Sequence, residues 1–253
     1  MRKPFIAGNW KMNTNSRSGV ELAEAIVSKT SAAAKKGVHV AVCPPFVYLP
    51  SVIDALRQSG VAVGAQDVYY EKDGAFTGEI STAMLKDVGC SYVLCGHSER
   101  RHVIGETDEL INKKVTAAIM GGILPIFCVG ELLEDRKASK TEEVVTRQIK
   151  KGLAGLSVEK VSAVTVAYEP VWAIGTGLTA TPQQAQEVHS MIRGLLEQMY
   201  DAKLAAGTRI LYGGSVKPSN AAELMHQDDI DGLLVGGASL KADDFVAIIQ
   251  AAV

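Results

Sequence analysis

The sequence lacks several features that would by themselves assign it to a large class of proteins. None of its apolar stretches approaches the roughly 18 residues that a membrane span needs. It contains no block of basic residues and no interleaving of basic with aromatic residues, and 26 basic against 28 acidic residues give a net charge of −2. We therefore expect no membrane and no nucleic acid as partner. The segment 1–4 leads into a strand-like run without the apolar stretch of a signal peptide, which predicts a cytoplasmic protein.

Signals for cofactors, metals and disulfides are missing as well. The chain has no dinucleotide-binding fingerprint, no Walker A sequence, and no carboxylate or histidine cluster with metal spacing. The cysteines lack CxxC spacing and lie in or beside apolar runs; they are Cys43, Cys90, Cys95 and Cys128. We expect these thiols to be reduced and buried, and we expect the protein to bind neither a metal nor a cofactor.

Short apolar, β-branched runs recur along the 253 residues, with helix-like segments between them. The predicted strands are 5–8, 38–43, 61–65, 92–95, 123–128, 161–167, 209–212 and 232–235. Two segments, 139–142 and 181–184, have the spacing of a capping box at the start of a helix. Eight strand–helix units within about 250 residues predict an α/β fold, a (β/α)8 TIM barrel formed by residues 1–253 as a single domain. The alternative, an open doubly wound sheet, calls for a Gly-rich turn after the first strand, where the chain has Asn9 and Lys11.

Residues 167–177 combine a carboxylate with the features of a lid. Glu169 stands at the exit of the sixth predicted strand, where it is available for acid–base chemistry. A proline, the apolar run 171–174 and two glycines, Gly175 and Gly177, follow it. Such a segment suits a lid that closes over a site and excludes water. The alternative is an ordinary strand-to-helix loop whose tryptophan packs on a neighbour.

Polar residues follow many of the predicted strands. In a closed parallel barrel all strands end on the same face, so these residues are predicted to meet. They are Asn9 and Lys11 after the first strand, His97 after the fourth and Glu169 after the sixth. Gly-rich turns follow the seventh strand, with Ser215, and the eighth, with Gly236 and Gly237. Turns of this kind bind anions through backbone N–H groups at helix starts. The pattern predicts a small phosphorylated substrate whose reactive end lies near Glu169 and His97.

Six segments, in order and spread over essentially the whole chain, resemble the triosephosphate isomerase family. They are 8–13, 74–81, 96–101, 167–177, 212–216 and 231–240. The resemblance implies an aldose–ketose isomerase that interconverts dihydroxyacetone phosphate and D-glyceraldehyde 3-phosphate through an enediol or enediolate. It also implies a place in glycolysis and gluconeogenesis and a reaction that uses no cofactor.

The resemblance further implies a role for each site residue. Glu169 corresponds to the base that moves a proton between C1 and C2, and His97 to a neutral imidazole that polarises the substrate oxygens. We expect His97 to be neutral also because a helix N-terminus disfavours an imidazolium. Lys11 corresponds to the cation that binds substrate and offsets the developing charge, with Asn9 at the same end. The backbone phosphate clamp corresponds to Gly175, Ser215, Gly236 and Gly237.

Residues 67–81 form a segment that is long for a strand-to-helix loop. Three aromatic residues lie in it: Tyr69, Tyr70 and Phe76. Loops longer than about 12–15 residues are usually functional or disordered, and aromatic residues in an exposed loop indicate an interface anchor. A loop folded back on its own barrel is the alternative. The resemblance implies a homodimer in which the loop around Thr77 inserts into the partner beside the segment 9–11.

Two other functions stay open from the residues alone. Another phosphosugar-binding (β/α)8 enzyme, such as an aldolase or a synthase of the tryptophan pathway, would share the phosphate pocket. It would use a Schiff-base lysine deep in a later strand, or a different carboxylate set. A non-catalytic barrel is the second alternative, and the presence of Lys11, His97 and Glu169 disfavours it.

Overall fold

Eight parallel strands close into a barrel in the part of the chain that the structure, a computed structural model, describes: residues 2–35, 37–174 and 179–253. Each strand pairs with the next along the chain, and the last pairs with the first, with Phe5 opposite Gly232. The strands are β1 (Phe5–Asn9), β2 (His39–Cys43), β3 (Val61–Ala65), β4 (Tyr92–Cys95), β5 (Leu124–Val129), β6 (Thr165–Tyr168), β7 (Ile210–Tyr212) and β8 (Gly232–Val235). The barrel prediction is therefore confirmed, because an open sheet would leave two edges unpaired.

Helices connect the strands and cover the sheet. Within the described ranges they are α1 (Ser16–Lys35), α2 (Leu49–Leu56), α3 (Thr82–Val88), α4 (Asp108–Met120), α5 (Leu133–Lys137), α6 (Thr141–Gly152), α7 (Val158–Val161), α8 (Pro182–Met199), α9 (Ala202–Gly207), α10 (Pro218–Met225) and α11 (Ala242–Gln250). Short 3₁₀ turns lie at Phe46–Tyr48, Val171–Ala173 and Gly237–Leu240, and a π-helical turn at Arg100–Ile104. No helix in these ranges is long and apolar enough to span a bilayer.

The core has two layers because successive residues of a strand point to opposite faces. In β1, Phe5 and Ala7 belong to the cluster that fills the barrel, whereas Ile6 belongs to the larger cluster between sheet and helices. The Phe5 ring packs on Tyr92 at 4.9 Å between centroids, and the Arg209 guanidinium lies 4.6 Å from the Phe5 centroid. Packed side chains therefore fill the barrel towards the amino ends of the strands, which leaves the carboxyl ends for a site.

The sixth strand begins later than the sequence predicts. Residues Val158–Val161 form the short helix α7, and β6 starts only at Thr165. The Val161 N–H donates to the Ser157 carbonyl, and the Val164 N–H donates to the Val161 carbonyl, so both bonds are those of helical turns. Val161 and Val164 are nonetheless buried. Their apolar character reflects packing against the core and not a strand.

One of the two predicted capping boxes is present. Thr181 caps α8 by accepting from the Gln184 N–H at 3.1 Å, while the Gln184 side chain accepts from the Thr181 N–H at 3.0 Å. The box at 139–142 is wrong, because α6 begins at Thr141, with Lys140 preceding it. Ser139 has a left-handed φ of 57°, and its N–H donates to the Arg136 carbonyl. Ser139 therefore closes the turn after α5 and does not start α6.

The cysteines are buried and free, as the sequence predicts. Burial raises the pKa of all four thiols, to about 11 for Cys90. A thiol with a raised pKa in an apolar environment is a poor nucleophile, so these side chains behave as small apolar core residues.

Candidate active site

A cavity at the carboxyl ends of the strands brings most of the predicted site residues together. Its volume is about 700 Å³. The predicted residues that line it are Asn9, Lys11, His97, Glu169, Ser215, Gly236 and Gly237. Gly175, the remaining predicted residue, lies outside the described residues. Residues from β1 and from the segments after β1, β4, β6, β7 and β8 thus meet at one place, although they are far apart in the sequence.

Glu169 follows β6 directly and is held between two glycines. Its N–H donates to the Val129 carbonyl at 2.7 Å, which continues the pairing of β5 with β6. A Cβ on Gly130 would lie 1.7 Å from the Glu169 carbonyl oxygen, and one on Gly213 would lie 2.8 Å from the Glu169 Cγ. Both distances are far below van der Waals contact, so only glycine fits at these positions. The glycines allow a carboxylate to sit buried at the end of the barrel.

The Glu169 carboxylate is only 2% exposed and is held by two groups of the segment after β4. Oε1 lies 2.9 Å from His97 Nε2, and Oε2 accepts from the Ser98 N–H at 3.0 Å. Burial by itself raises the pKa of Glu169, but His97 and the Ser98 N–H outweigh burial and bring the pKa below its usual value. Glu169 is therefore ionised near neutral pH and can accept a proton.

His97 is the partner of this carboxylate, and its environment differs from what the sequence predicts. Burial lowers the pKa of His97, but the adjacent Glu169 carboxylate raises it more, and the net pKa lies above its usual value. Contact with Glu169 therefore shifts the pKa of His97 in the direction opposite to the one expected from the sequence. On the other side of the ring, the Glu99 N–H donates to Nδ1 at 3.3 Å, a bond that only an unprotonated Nδ1 accepts. This bond favours the neutral ring once the carboxylate has moved away.

Lys11 reaches the same cavity from the segment after β1. Its main chain has a left-handed φ of 53°, and its N–H donates to Asn9 Oδ1 at 3.0 Å. The Lys11 Nζ donates to Glu99 Oε1 at 2.7 Å. The Lys11 ammonium group thus contacts segment 97–99, the same segment that holds Glu169. Together they place a cation, an imidazole and a carboxylate around one space.

The base of the predicted lid is anchored beside the cavity. Glu131 is fully buried, and its Oε1 accepts from the Tyr168 hydroxyl at 3.1 Å and from Trp172 Nε1 at 2.9 Å. The Val171 N–H donates to the Glu131 carbonyl at 3.1 Å, and the Arg136 guanidinium lies 5.7 Å from the Trp172 ring. One buried carboxylate therefore fixes residues on both sides of Glu169. The predicted lid glycines, Gly175 and Gly177, lie outside the described residues.

The opposite end of the cavity is lined by backbone-rich turns. Gly236 lies close to Lys11: a Cβ on Gly236 would be 3.5 Å from the Lys11 Cε. A Cβ on Gly237 would contact nothing within 4 Å. Ser239, fully buried, donates its hydroxyl to the Gly236 carbonyl at 2.7 Å and fixes this turn. Two further lysines, Lys217 and Lys241, also line the cavity, next to the starts of α10 and α11. Positive charge and helix starts make this end suitable for an anion.

Two contacts of the site were missed by the sequence analysis. The Ser98 N–H bonds Glu169, and Gln66 Nε2 donates to the Lys11 carbonyl at 2.7 Å. Gln66 immediately follows β3, so the rule that located the other polar residues at strand exits applies to it as well. A backbone N–H carries no residue-type signal, and Ser98 was for that reason not identifiable as a ligand of Glu169.

The fold and the site together define a class of protein, the (β/α)8 enzymes that carry out acid–base chemistry at the carboxyl end of the barrel. Comparison with known proteins is more specific. The family model for triosephosphate isomerase matches residues 4–252. The chain belongs to the triosephosphate isomerase family.

Individual relatives named triosephosphate isomerase are similar over their whole lengths. The protein of Carboxydothermus hydrogenoformans is 54% identical over 253 residues, which cover 100% of both chains. That of Rhodopirellula baltica is 53% identical over 251 residues, covering 99% of this chain and 98% of the relative. That of Endomicrobium trichonymphae is 52% identical over 250 residues, covering 99% of each. Family members are isomerases, so this chain is assigned to the aldose–ketose isomerases.

Proposed function

We propose that this chain interconverts dihydroxyacetone phosphate and D-glyceraldehyde 3-phosphate by proton transfer through an enediolate, as a step of glycolysis and gluconeogenesis. One observation carries the proposal: the buried, ionised Glu169 carboxylate lies 2.9 Å from His97 Nε2 in a cavity that Lys11 also lines. A carbon acid next to a carbonyl is weakly acidic, so a carboxylate removes its proton only where the enediolate is strongly stabilised.

Glu169 acts as the base that moves the proton between C1 and C2. In the free site its oxygens are engaged by His97 and by the Ser98 N–H. Bound substrate competes for His97 Nε2, which frees the carboxylate to turn towards the substrate carbon. The contact of the ring with Glu169 is then replaced by one with a substrate oxygen.

His97 then donates Nε2–H to the carbonyl oxygen and to the enediolate. Departure of the carboxylate removes the main cause of the raised pKa of His97. The Glu99 N–H at Nδ1 favours the tautomer with its proton on Nε2. A neutral ring of this tautomer polarises the carbonyl through its Nε2–H. A ring that is protonated in the free site first releases its Nδ1 proton to solvent as Glu169 leaves.

Lys11 and the glycine turns hold the rest of the substrate. Lys11 Nζ offsets the negative charge that develops on the enediolate, and Asn9 bonds at the same end. We assign the phosphate to the backbone of Gly236 and Gly237 and to the turns of Ser215 and Gly175. This assignment is supported by the helix starts near these turns and by Lys217 and Lys241, which line the cavity together with Asp244.

The carboxylate is tested by Glu169→Gln, which keeps the shape of the side chain and removes the base. We expect turnover in a coupled isomerase assay to fall by at least about 10²–10⁴-fold, the range for lost general-base catalysis. Deuterium from the solvent should enter recovered substrate with the wild type and not with the variant. Glu197→Gln, at an exposed carboxylate of α8, is the matched control and should leave turnover unchanged. Near-normal turnover of a folded Glu169→Gln protein would remove Glu169 from the mechanism.

The rival phosphosugar enzyme is tested by borohydride trapping in the presence of the triose phosphates. A Schiff-base lysine would leave a covalent adduct of the sugar on the protein, detectable by mass spectrometry. We expect none. A trapped adduct together with an inactive isomerase assay would favour the aldolase-type alternative.

We also propose that the protein is a homodimer in which the loop around Thr77 docks on the partner. Residues 71–79 of this loop are exposed, yet the loop bonds to itself: the Tyr69 N–H donates to the Ile80 carbonyl at 2.8 Å and the Phe76 N–H to the Gly74 carbonyl at 2.9 Å. Its three aromatic rings pack as tilted pairs, with 4.5 Å between the Tyr69 and Tyr70 centroids and 4.9 Å between those of Tyr69 and Phe76. A loop that holds its own conformation and leaves residues 71–79 exposed is preorganised for binding and loses little entropy on association.

A second surface offers a place for this loop. A groove of about 630 Å³ runs beside the segments after β1 and β4 and is lined by catalytic as well as apolar residues. Met12 on its rim is 95% exposed, and Val103 and Ile104 are also largely exposed. Apolar side chains clustered at a groove indicate an interface. Because Lys11 and His97 line the same groove, a docked loop would support the site of the partner.

Thr77→Arg tests the dimer by placing a charge at the tip of the loop. We expect monomers that keep the barrel but have much lower activity, measured by light scattering, circular dichroism and the isomerase assay. Thr77→Ser is the matched control and should remain dimeric. A fully active monomeric variant, or a wild type that is monomeric at micromolar concentration, rules the proposal out.

We place the protein in the cytoplasm. Support comes from its four buried, unpaired cysteines, which fit a reducing compartment. Fractionation of the source cells followed by the isomerase assay tests this location. Activity confined to a membrane or secreted fraction would contradict it.

A further inference from the structure

The main chain of Lys11 has an unfavourable conformation that something must hold. Its φ of 53° is in the left-handed region, which β-carbons make costly for residues other than glycine. Such conformations persist only where the surrounding structure fixes them, and they occur often at functional sites. The Asn9 side chain fixes one side of the residue by accepting from the Lys11 N–H at 3.0 Å.

Gln66 fixes the other side. Its Nε2 donates to the Lys11 carbonyl at 2.7 Å and to the Cys43 carbonyl at 2.9 Å, so both hydrogens of the amide are used. Cys43 is the last residue of β2, and its carbonyl also accepts from the Trp10 N–H at 3.1 Å. One side-chain amide therefore ties the segment after β1 to the end of β2. Within the described residues, the side-chain hydrogen bond to the Lys11 carbonyl comes from Gln66.

Gln66 is itself anchored by a group of four charged residues that begins at the next residue; three of them are buried and Arg100 is half-buried. Asp67 is bound by Lys114 Nζ at 2.7 and 2.8 Å and by Arg100 Nη2 at 3.0 Å. Glu106 accepts from Arg100 Nε at 2.6 Å and from Lys114. Two cations face two carboxylates, so the group has no net charge. Each charge is therefore paired although Lys114, Asp67 and Glu106 are buried. It fixes the backbone from which Gln66 extends.

The same group reaches the segment that carries His97. The Arg100 N–H donates to the His97 carbonyl at 2.8 Å, while the Arg100 side chain bonds Asp67 and Glu106. The supports of Lys11 and of His97 are thus joined through one network of charged residues. A shift of Asp67 would move Gln66 and, with it, the Lys11 carbonyl.

We propose that Gln66 is a positioning residue for Lys11: by binding the Lys11 carbonyl it holds the ammonium group where the substrate is bound. The inference rests on one part of the proposed function, the binding of substrate by Lys11. Gln66 lies in contact with the main chain of Lys11 and acts through it.

Gln66→Met tests this by keeping the length of the side chain and removing its donors. We expect kcat/KM to fall about tenfold, the loss typical of one hydrogen bond whose acceptor stays unpaired, mostly as a higher KM. In a Lys11→Met background the same substitution should cause no further loss, because Gln66 acts through Lys11. Slow variants are measured by exchange of substrate protons at high enzyme concentration. Gln227→Met is the matched control, since Gln227 Nε2 also donates to a carbonyl, that of Glu223, on α10.

A second measurement is independent of any activity. In the substrate-free protein, the backbone amide and Cα resonances of Lys11 should move in Gln66→Met and not in Gln227→Met. If Gln66→Met does not fold, Gln66→Asn replaces it, because the shorter amide does not reach both carbonyls. Equal losses of kcat/KM with and without Lys11, or unchanged Lys11 resonances, overturn the proposal. If the wild type is inactive as an isomerase but Gln66→Met still shifts the Lys11 resonances, the proposed function is refuted and the positioning of Lys11 by Gln66 remains supported.

Discussion

A buried histidine is expected to make the stability of this protein depend on pH. His189 lies in α8, is fully buried, and packs edge-on against Tyr168 at 5.9 Å between ring centroids. Its Nδ1 is 3.1 Å from the Asp229 carbonyl oxygen. A carbonyl oxygen only accepts, so Nδ1 carries the proton and Nε2 is the atom left to titrate. Nε2 is buried and has no hydrogen-bond partner among the described residues.

Protonation of this ring would place a charge in the core, and burial lowers the pKa of His189 to about 4. The unfolded chain binds the same proton near pH 6.5. Between these two values the unfolded state binds more protons, so the free energy of unfolding falls as the pH falls. The contribution is complete above about pH 6.5. His189 alone is expected to remove about 2 kcal/mol between pH 7 and 5 and about 3 kcal/mol by pH 4.

The measurement compares the wild type with His189→Asn, whose amide keeps the donor to Asp229 and does not titrate. Urea unfolding is followed by circular dichroism at pH 7, 6 and 5 and at one protein concentration, because association changes the apparent stability. The variant leaves a small cavity, so its free energy of unfolding is lower than that of the wild type at pH 7. The informative quantity is the slope of the free energy of unfolding against pH. We expect the difference between the two proteins to shrink by about 2 kcal/mol from pH 7 to 5.

His226→Asn is the control. His226 is exposed at the end of α10, and its replacement controls for the loss of one imidazole from the chain. Parallel curves for the wild type and His189→Asn would refute the reasoning, since they would mean that the buried ring carries no difference in proton affinity between the folded and unfolded states.

Three further predictions concern the site and its support. Because the Glu169 carboxylate raises the pKa of His97 in the free protein, ring resonances of labelled His97 should titrate above pH 6.5, and in Glu169→Gln below it. Lys114→Met should lower the urea-unfolding free energy by about 3–5 kcal/mol, because Asp67 and Glu106 lose a shared cation. Gly237→Asp should weaken binding of inorganic phosphate, measured by calorimetry, at least about tenfold through like-charge repulsion. Gly237→Ala, which has room for its Cβ, should bind normally, and equal binding by both variants would move the anion elsewhere.

The barrel and the composition of its mouth were predictable from the sequence because they follow from periodic patterns. Apolar runs gave the strands, and a parallel barrel requires all strand exits to share one face. Asn9, Lys11, His97 and Glu169 were assigned to one site on that ground alone, and all four line one cavity. Their assignment needed no distances.

What could not be predicted depends on contacts between distant segments. The contact of His97 with Glu169 joins β4 and β6, and it changes the proton affinity of both side chains. Local patterns also failed where tertiary packing decided the outcome. Val161 is β-branched and buried but belongs to a helix, and Ser139 has the spacing of a cap but closes the preceding turn. A one-dimensional pattern records which residues are apolar or polar and not which neighbours they meet.

The pairing of β8 with β1 has a consequence for protein synthesis. Gly236 stands next to Lys11, so the pocket lies at the seam where the first and last strands of the sheet join. A chain emerging from the ribosome holds Lys11 early and Gly236 only near the end, and no partial barrel contains both sides of the pocket. Ligand binding therefore cannot stabilise the nascent chain. One edge of β1 stays unpaired until β8 has been synthesised. Such a long-range closure is slow, which makes the interval before release the period of greatest exposure to aggregation and chaperones.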